Sequence, residues 1–175
     1  MTSLHPIEQD DWLIDDTENI AAETQQVRHP WKILIVDDDV DVHAVTRLAL
    51  RNVAFKGRAT ELMSAYSAQE GFQILAAHTD IALILLDVVM ESDDAGLRLV
   101  SRIRDELNNQ LVRIVLRTGQ SGLAPEPQVI LDYDINDYKS KTELTTQKLF
   151  TSVIASLRAY ESLQTIERSR TGLKK

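Results

Sequence analysis

The sequence predicts an α/β protein built on a doubly wound, five-stranded parallel sheet of order 2-1-3-4-5. Three observations predict it. Ile81-Ala82-Leu83-Ile84-Leu85-Leu86 is an apolar run bounded by polar residues and too short for a helical stripe, as in a strand covered on both faces. Four further strand-like segments alternate with amphipathic stretches, which implies right-handed crossovers and a parallel sheet. The first, third and fourth of the five strands are strongly apolar while the second and fifth are mixed, which places the mixed pair at the edges.

Taken in order, residues 1–30 lack periodicity, end in His29-Pro30 and read as an acidic, mobile extension whose Leu4, Ile7, Trp12, Leu13 and Ile14 could dock. Lys32 to Asp37 is the first strand, and Asp39 or Asp41 can cap the helix after it, with Val42, Val45, Leu48 and Ala49 as its apolar stripe. Leu62 to Tyr66 is a weaker second strand. Ser67-Ala68-Gln69-Glu70 is a capping-box pattern for a helix that buries Phe72, Ile74 and Leu75. The third strand ends at Asp87, and Gly96 to Leu107 follows as a helix with Leu97, Leu99, Ile103 and Leu107 among its apolar positions. Leu111 to Leu116 is the fourth strand and runs into Arg117-Thr118. A loop with Pro125 and Pro127 leads to a short helix, Ile135 to Tyr138 is the fifth strand, and Thr145 to about Arg168 is a long final helix.

Composition narrows the function classes. The 175 residues hold no cysteine, which excludes disulfides, thiolate metal sites and cysteine nucleophiles. A net charge of −8 and pI near 5.0 argue against direct nucleic-acid binding, which needs a basic face. Most of that charge sits in residues 1–30, where seven carboxylates face only Arg28. No stretch approaches the length of a membrane span and no signal sequence opens the chain, so a cytoplasmic location without membrane insertion is expected.

In the order 2-1-3-4-5, as in flavodoxin-like sheets, the ligand crevice lies at the carboxyl ends of strands one and three. Asp37 and Asp38 end the first strand there and Asp87 the third. Converging carboxylates repel unless a cation joins them, and all-oxygen ligands favour Mg2+ or Mn2+ over zinc. Taken singly, each aspartate is as readily explained as a helix cap or turn former. Thr118 at the end of strand four and Lys141 after strand five place a hydroxyl and an ammonium beside Asp87, a set suited to a phosphoryl group on that carboxylate.

From about Trp31 to Tyr160 the chain resembles the CheY-like receiver domain of two-component response regulators. The resemblance rests on Ile35-Val36-Asp37-Asp38, Leu85-Leu86-Asp87-Val88-Val89-Met90, Leu116-Arg117-Thr118, and Asp137-Tyr138 with Lys141. Asp38 and Asp87 are 49 positions apart, and Thr118 and Lys141 are 23 apart. It implies phosphate transfer to Asp87 from a sensor histidine kinase or a histidine phosphotransfer protein. It also implies Mg2+ held by Asp38, Asp87 and the backbone carbonyl of Val89, with Asp37 acting largely through water. Thr118 and Lys141 would meet the phosphoryl oxygens, and the rotamer of Tyr138 would report the state of Thr118. Residues 31–158 then form the receiver and 159–175 a helical extension or linker.

The chain departs from the family pattern in two places. Thr142 stands where a proline usually follows the lysine, leaving either a strained cis peptide or a trans bond that shifts Lys141. Met90-Glu91-Ser92-Asp93-Asp94 replaces the usual methionine-proline turn with an acidic loop. Competing readings are weaker. Asp37, Asp39 and Asp41 alternate like the start of an EF-hand, but Val42 and Leu48 stand where that loop needs glycine and glutamate. Asp37-x-Asp39 also matches the nucleophile pair of haloacid-dehalogenase-type phosphatases, which would make Asp37 the phosphorylated residue. A pseudo-receiver used only for protein contacts is opposed by the intact Asp38, Asp87, Thr118 and Lys141. Ala159, Leu163, Ile166 and Leu173 fall at heptad spacing on the last helix, a short coiled-coil seam with a solvated helix as the alternative. The expected assembly is a homodimer through the face of the fourth helix, fifth strand and final helix, or through the C-terminal helix. Asp134 to Thr145 resembles receivers at the front of longer regulators, some ending in cyclic-dinucleotide cyclase or phosphodiesterase domains, so the chain reads as part of such a regulator or as a relay module.

Overall fold

Ile81–Asp87 is buried at all seven positions and has a parallel partner on each side. In the computed structural model, which describes residues 29–119, 127–141 and 146–172, the elements run β1 (Trp31–Val36), α1 (Val40–Ala49), β2 (Ala54–Phe55), β3 (Arg58–Ala65), α2 (Ala68–Ala77), β4 (Ile81–Asp87), α3 (Ala95–Asp105), β5 (Arg113–Thr118), α4 (Pro127–Asp132), β6 (Asp137–Ser140) and α5 (Thr146–Gly172). The sheet order is β2-β3-β1-β4-β5-β6, parallel except for β2 against β3.

The expected order is therefore present with one strand added. β2 is two residues long and pairs antiparallel with β3 through the Lys56-Gly57 turn. Both turn residues have positive φ, 50° and 73°, the backbone of the tight turns whose twist suits a hairpin. As a result β3 has a partner on its outer side and begins at Arg58 rather than Leu62.

Side chains alternate across the sheet and build a core on each face. Leu34, Ile84, Leu86, Ile114 and Leu116 pack with Leu75, Leu99 and Ile103 from α2 and α3. Ile33, Leu83, Leu85 and Val115 pack with Leu149, Val153, Leu157 and Tyr160 from α5. Each fully buried aliphatic chain contributes roughly 1.5–3 kcal/mol. Tyr160 meets Trp31 edge-on with ring centroids 6.3 Å apart, so α5 stays seated on the sheet to that point. Ile166 farther along is exposed.

The helix caps follow the sequence closely. Asp39 caps α1 by accepting from the Asp41 amide at 2.9 Å. Ser67 caps α2 by accepting from Glu70 N, and Glu70 returns to the amide of Tyr66. In the acidic loop, Glu91 reaches across to the N-terminus of α2 and accepts from Ala68 N at 2.8 Å, where a negative charge suits the helix dipole.

The buried side of α1 differs from the expected stripe. Val45 and Leu48 are exposed, while His43 and Thr46 are buried. Hydropathy misreads this helix because both polar side chains satisfy their hydrogen bonds inside. The Thr46 hydroxyl donates to the Val42 carbonyl at 2.6 Å. His43 Nε2 lies 2.8 Å from the Asp37 carbonyl oxygen, which can only accept, so Nε2 carries the proton and Nδ1 faces Ser64 Oγ at 2.9 Å. His43 is thus a support of the strand end that carries Asp37, beyond its place on the helix.

Among the described residues no helix is long and apolar enough to cross a membrane. The acidic extension through Arg28, the loop with Pro125, residues Thr142–Thr145 and Leu173 of the heptad series lie outside the described residues.

Candidate functional site

The carboxyl ends of β1 and β4 bring Asp37, Asp38 and Asp87 together because these strands are neighbours, Val36 being opposite Leu86. One oxygen from each carboxylate lies within 4.8 Å of the others. Asp37 is fully buried, Asp87 is 4% exposed and Asp38 is exposed. Asp37 Oδ1 accepts from Asp39 N at 2.9 Å, which closes the turn from β1 into α1.

Lys141 reaches this cluster from the far end of β6. Its Nζ lies 2.9 Å from Asp37 Oδ2 and 3.1 Å from Asp87 Oδ2, with an aligned hydrogen bond only to Asp87. Asp37 Oδ2 therefore sits near the ammonium yet without a hydrogen bond. The Lys141 backbone is held by its amide, which donates to the Thr118 carbonyl at 2.7 Å. Burial by itself would lower the Lys141 pKa, but the charges of Asp37 and Asp87 and the hydrogen bond to Asp87 outweigh it and hold the ammonium above its ordinary range. For Asp87 burial dominates and, with the charge of Asp37, raises the pKa. Lys141 and the backbone amide of Val89 oppose that rise.

Thr118 is buried at the end of β5, one position past Arg117, the residue paired with Asp87. Tyr138 is half-buried on the edge strand opposite Leu116. All the sequence-selected residues thus lie at one end of the sheet. Three carboxylates, one with an oxygen lacking a hydrogen bond, fit a hard divalent cation, and the donor set is all oxygen.

Two contributors were not singled out in the sequence. Gly96 packs so closely beneath Asp87 that a Cβ there would fall 2.1 Å from the Asp87 carbonyl oxygen, and its amide donates to Val88 O at 2.9 Å. Only glycine permits this approach of α3 to the end of β4. Arg117 is 4% exposed and points to the α1/α5 side of the sheet, where Nη1 donates to Thr46 Oγ1 at 3.0 Å. Burial pulls its pKa below the ordinary arginine range, against the charges of Asp37 and Asp87. A charge embedded in the apolar run Ile114-Val115-Leu116 was the available signal.

The doubly wound sheet gathers paired acidic strand ends and a lysine at the point where such folds bind their ligands. Residues 33–154 match the family model described as response regulator receiver domain, and the chain belongs to that family. It is 50% identical over 167 residues to 3'3'-cGAMP-specific phosphodiesterase 2 of Vibrio cholerae serotype O1, covering 93% of this chain and 32% of that protein. The chain thus spans about a third of the length of that relative. A CheY-like receiver domain protein from Methanospirillum hungatei matches with a TM-score of 0.60 at 22% identity, over 76% of this chain and 98% of that one. The signal receiver domain of an HD domain-containing protein from Pseudomonas fluorescens gives 0.62 at 20% identity, over 80% and 96%. The family assignment leaves the phosphatase alternative at Asp37 without support.

Proposed function

We propose that this receiver of two-component signalling accepts a phosphoryl group on the carboxylate of Asp87, from a phosphohistidine of a sensor kinase or a phosphotransfer protein. The observation that carries the reading is Lys141 Nζ at 3.1 Å from Asp87 Oδ2, an ammonium in position to meet phosphoryl oxygens on that carboxylate. In the transfer, an Asp87 oxygen attacks phosphorus, the phosphorus–nitrogen bond to the imidazole breaks, and the imidazole leaves with the electron pair and takes a proton from solvent. Lys141 and the hydroxyl of Thr118 then bind the phosphoryl oxygens. A Mg2+ ion held by Asp38, Asp87 and the Val89 carbonyl, with Asp37 through water, would neutralise charge on the transferring group.

Displacement of Lys141 and Thr118 toward the phosphoryl group draws Tyr138 inward and alters the face formed by α4, β6 and α5. Homodimerisation through that face, with residues 159–175 as the helical connection, transmits the state. Regulation is the role of residues 31–158, with phosphorylation and its reversal as their chemistry, in a cytoplasmic protein. The similarity to the cyclic-dinucleotide phosphodiesterase supports an output of that kind in another domain.

Incubation with a phosphorylated histidine phosphotransfer protein and Mg2+ tests the reading. Label is expected to move to the wild type and not to Asp87→Asn, and light scattering is expected to show a larger species after transfer. Label retained on the donor in every pairing, together with no reaction with a small phosphodonor, would favour a pseudo-receiver.

A further inference from the structure

The peptide that joins Asp37 to Asp38 lies in the turn out of β1, and both residues belong to the carboxylate cluster. Asp37 is anchored on three sides. Its amide donates to the Ala65 carbonyl at 3.1 Å, and its Oδ1 accepts from Asp39 N at 2.9 Å. Its carbonyl oxygen is met by a side chain, His43 of α1, whose Nε2 lies 2.8 Å away. Asp38 is different, being exposed and, among the described residues, without a hydrogen bond to its carboxylate. The backbone before it sets its direction, and that backbone is the planar peptide whose oxygen His43 holds.

His43 is itself fixed in place. The residue is 2% exposed, and its ring lies against Tyr66 with centroids 4.3 Å apart. Nδ1 is 2.9 Å from Ser64 Oγ, and that oxygen accepts from Arg47 Nη2 at 2.7 Å. A hydroxyl whose lone pair is taken by a guanidinium still has its own proton to give, so Ser64 donates to Nδ1 and the ring proton stays on Nε2. Three hydrogen bonds then run in one direction, from Arg47 through Ser64 and His43 to the Asp37 carbonyl. Filling space would need only an apolar side chain, whereas an imidazole bound at both nitrogens aims one donor at one carbonyl.

We propose that His43 is a positioning residue for the divalent-cation site: through Nε2 it fixes the peptide between Asp37 and Asp38, and with it the aim of the Asp38 carboxylate. The proposal rests on the reading of Asp37, Asp38 and Asp87 as that site and does not depend on which of them takes a phosphoryl group. Groups that orient the ligands of a metal ion commonly set its affinity by about 10–100-fold.

Isothermal titration calorimetry of the metal-free chain with Mg2+, at a temperature where each variant is folded, tests the proposal. His43→Leu keeps bulk without the donor and is expected to weaken Mg2+ at least about tenfold. His43→Gln, whose amide can donate to the same carbonyl, is expected to stay within about threefold of the wild type. A histidine that only fills the core would lower the melting temperature in His43→Leu and leave the affinity of the folded chain unchanged, and that result would overturn the proposal. Equal weakening in His43→Gln and His43→Leu would overturn it as well. Should His43→Leu fail to fold, Ser64→Ala leaves the imidazole without its Nδ1 partner and is expected to weaken Mg2+ at least about threefold, with wild-type affinity again overturning the proposal. No saturation of the wild type up to about 100 mM Mg2+ would overturn the cation reading and the role of His43 together. Binding by the wild type that His43→Leu matches would overturn the role of His43 alone.

Discussion

Lys141 and Asp87 are 54 residues apart in sequence and meet at 3.1 Å across the end of the sheet. The same ammonium lies 2.9 Å from Asp37, so one cation holds two buried carboxylates. The ammonium thereby offsets the repulsion between two carboxylates in a site that also suits a divalent cation.

Lys141→Met is expected to leave Asp37 and Asp87 facing each other with the Arg117 charge as their remaining compensation. In metal-free buffer at neutral pH the loss should be on the order of 2 kcal/mol, below the full cost of breaking a buried pair because the lysine is partly exposed. Added Mg2+ should recover part of it by binding only the folded state. Urea unfolding with and without Mg2+ measures both. Equal stability of variant and wild type without metal would contradict the account.

Ionisation of Asp87 opposes folding, because burial and Asp37 raise its pKa above 3.8. Between 3.8 and that raised value the folded chain binds more protons than the unfolded chain, so stability falls as pH rises through the window. Asp87→Asn has no carboxylate to ionise there. The variant is expected to melt higher than the wild type in metal-free buffer at pH 7, with the gap closing as pH falls below the folded pKa. Thermal melts across pH check it, and a gap that widens in acid would contradict the sign.

Gly96→Ala places a methyl against the backbone of Asp87 and Val88, at 2.1 and 2.8 Å, where no flexible side chain can yield. A destabilisation of about 3 kcal/mol is expected, the upper end for overpacking. The amide resonances of Val88 and Val89 should shift with it. Chemical denaturation and NMR measure the two, and a variant as stable as the wild type would contradict the close approach of α3.

Much of the fold was legible because β1, β4 and β5 are covered on both faces and so read as plain apolar runs. Asp37, Asp38, Asp87 and Lys141 were legible because strand ends in a doubly wound sheet converge, so order along the chain became position in space. β2 was not, since two residues carry no periodicity and only the Lys56-Gly57 turn marked it. The α1 face was misread because His43 and Thr46 are buried with local partners while Val45 and Leu48 face solvent, an arrangement that hydropathy scores in reverse. The roles of Gly96 and Arg117 depend on what the fold packs against them, which spacing along the chain does not carry.

Intact-mass spectrometry after incubation with Mg2+ and a small phosphodonor tests the assignment of Asp87 most directly. The account predicts one phosphoryl group on the wild type, a weaker yield on Asp37→Asn and none on Asp87→Asn. An adduct that survives Asp87→Asn and vanishes only in Asp37→Asn would contradict it.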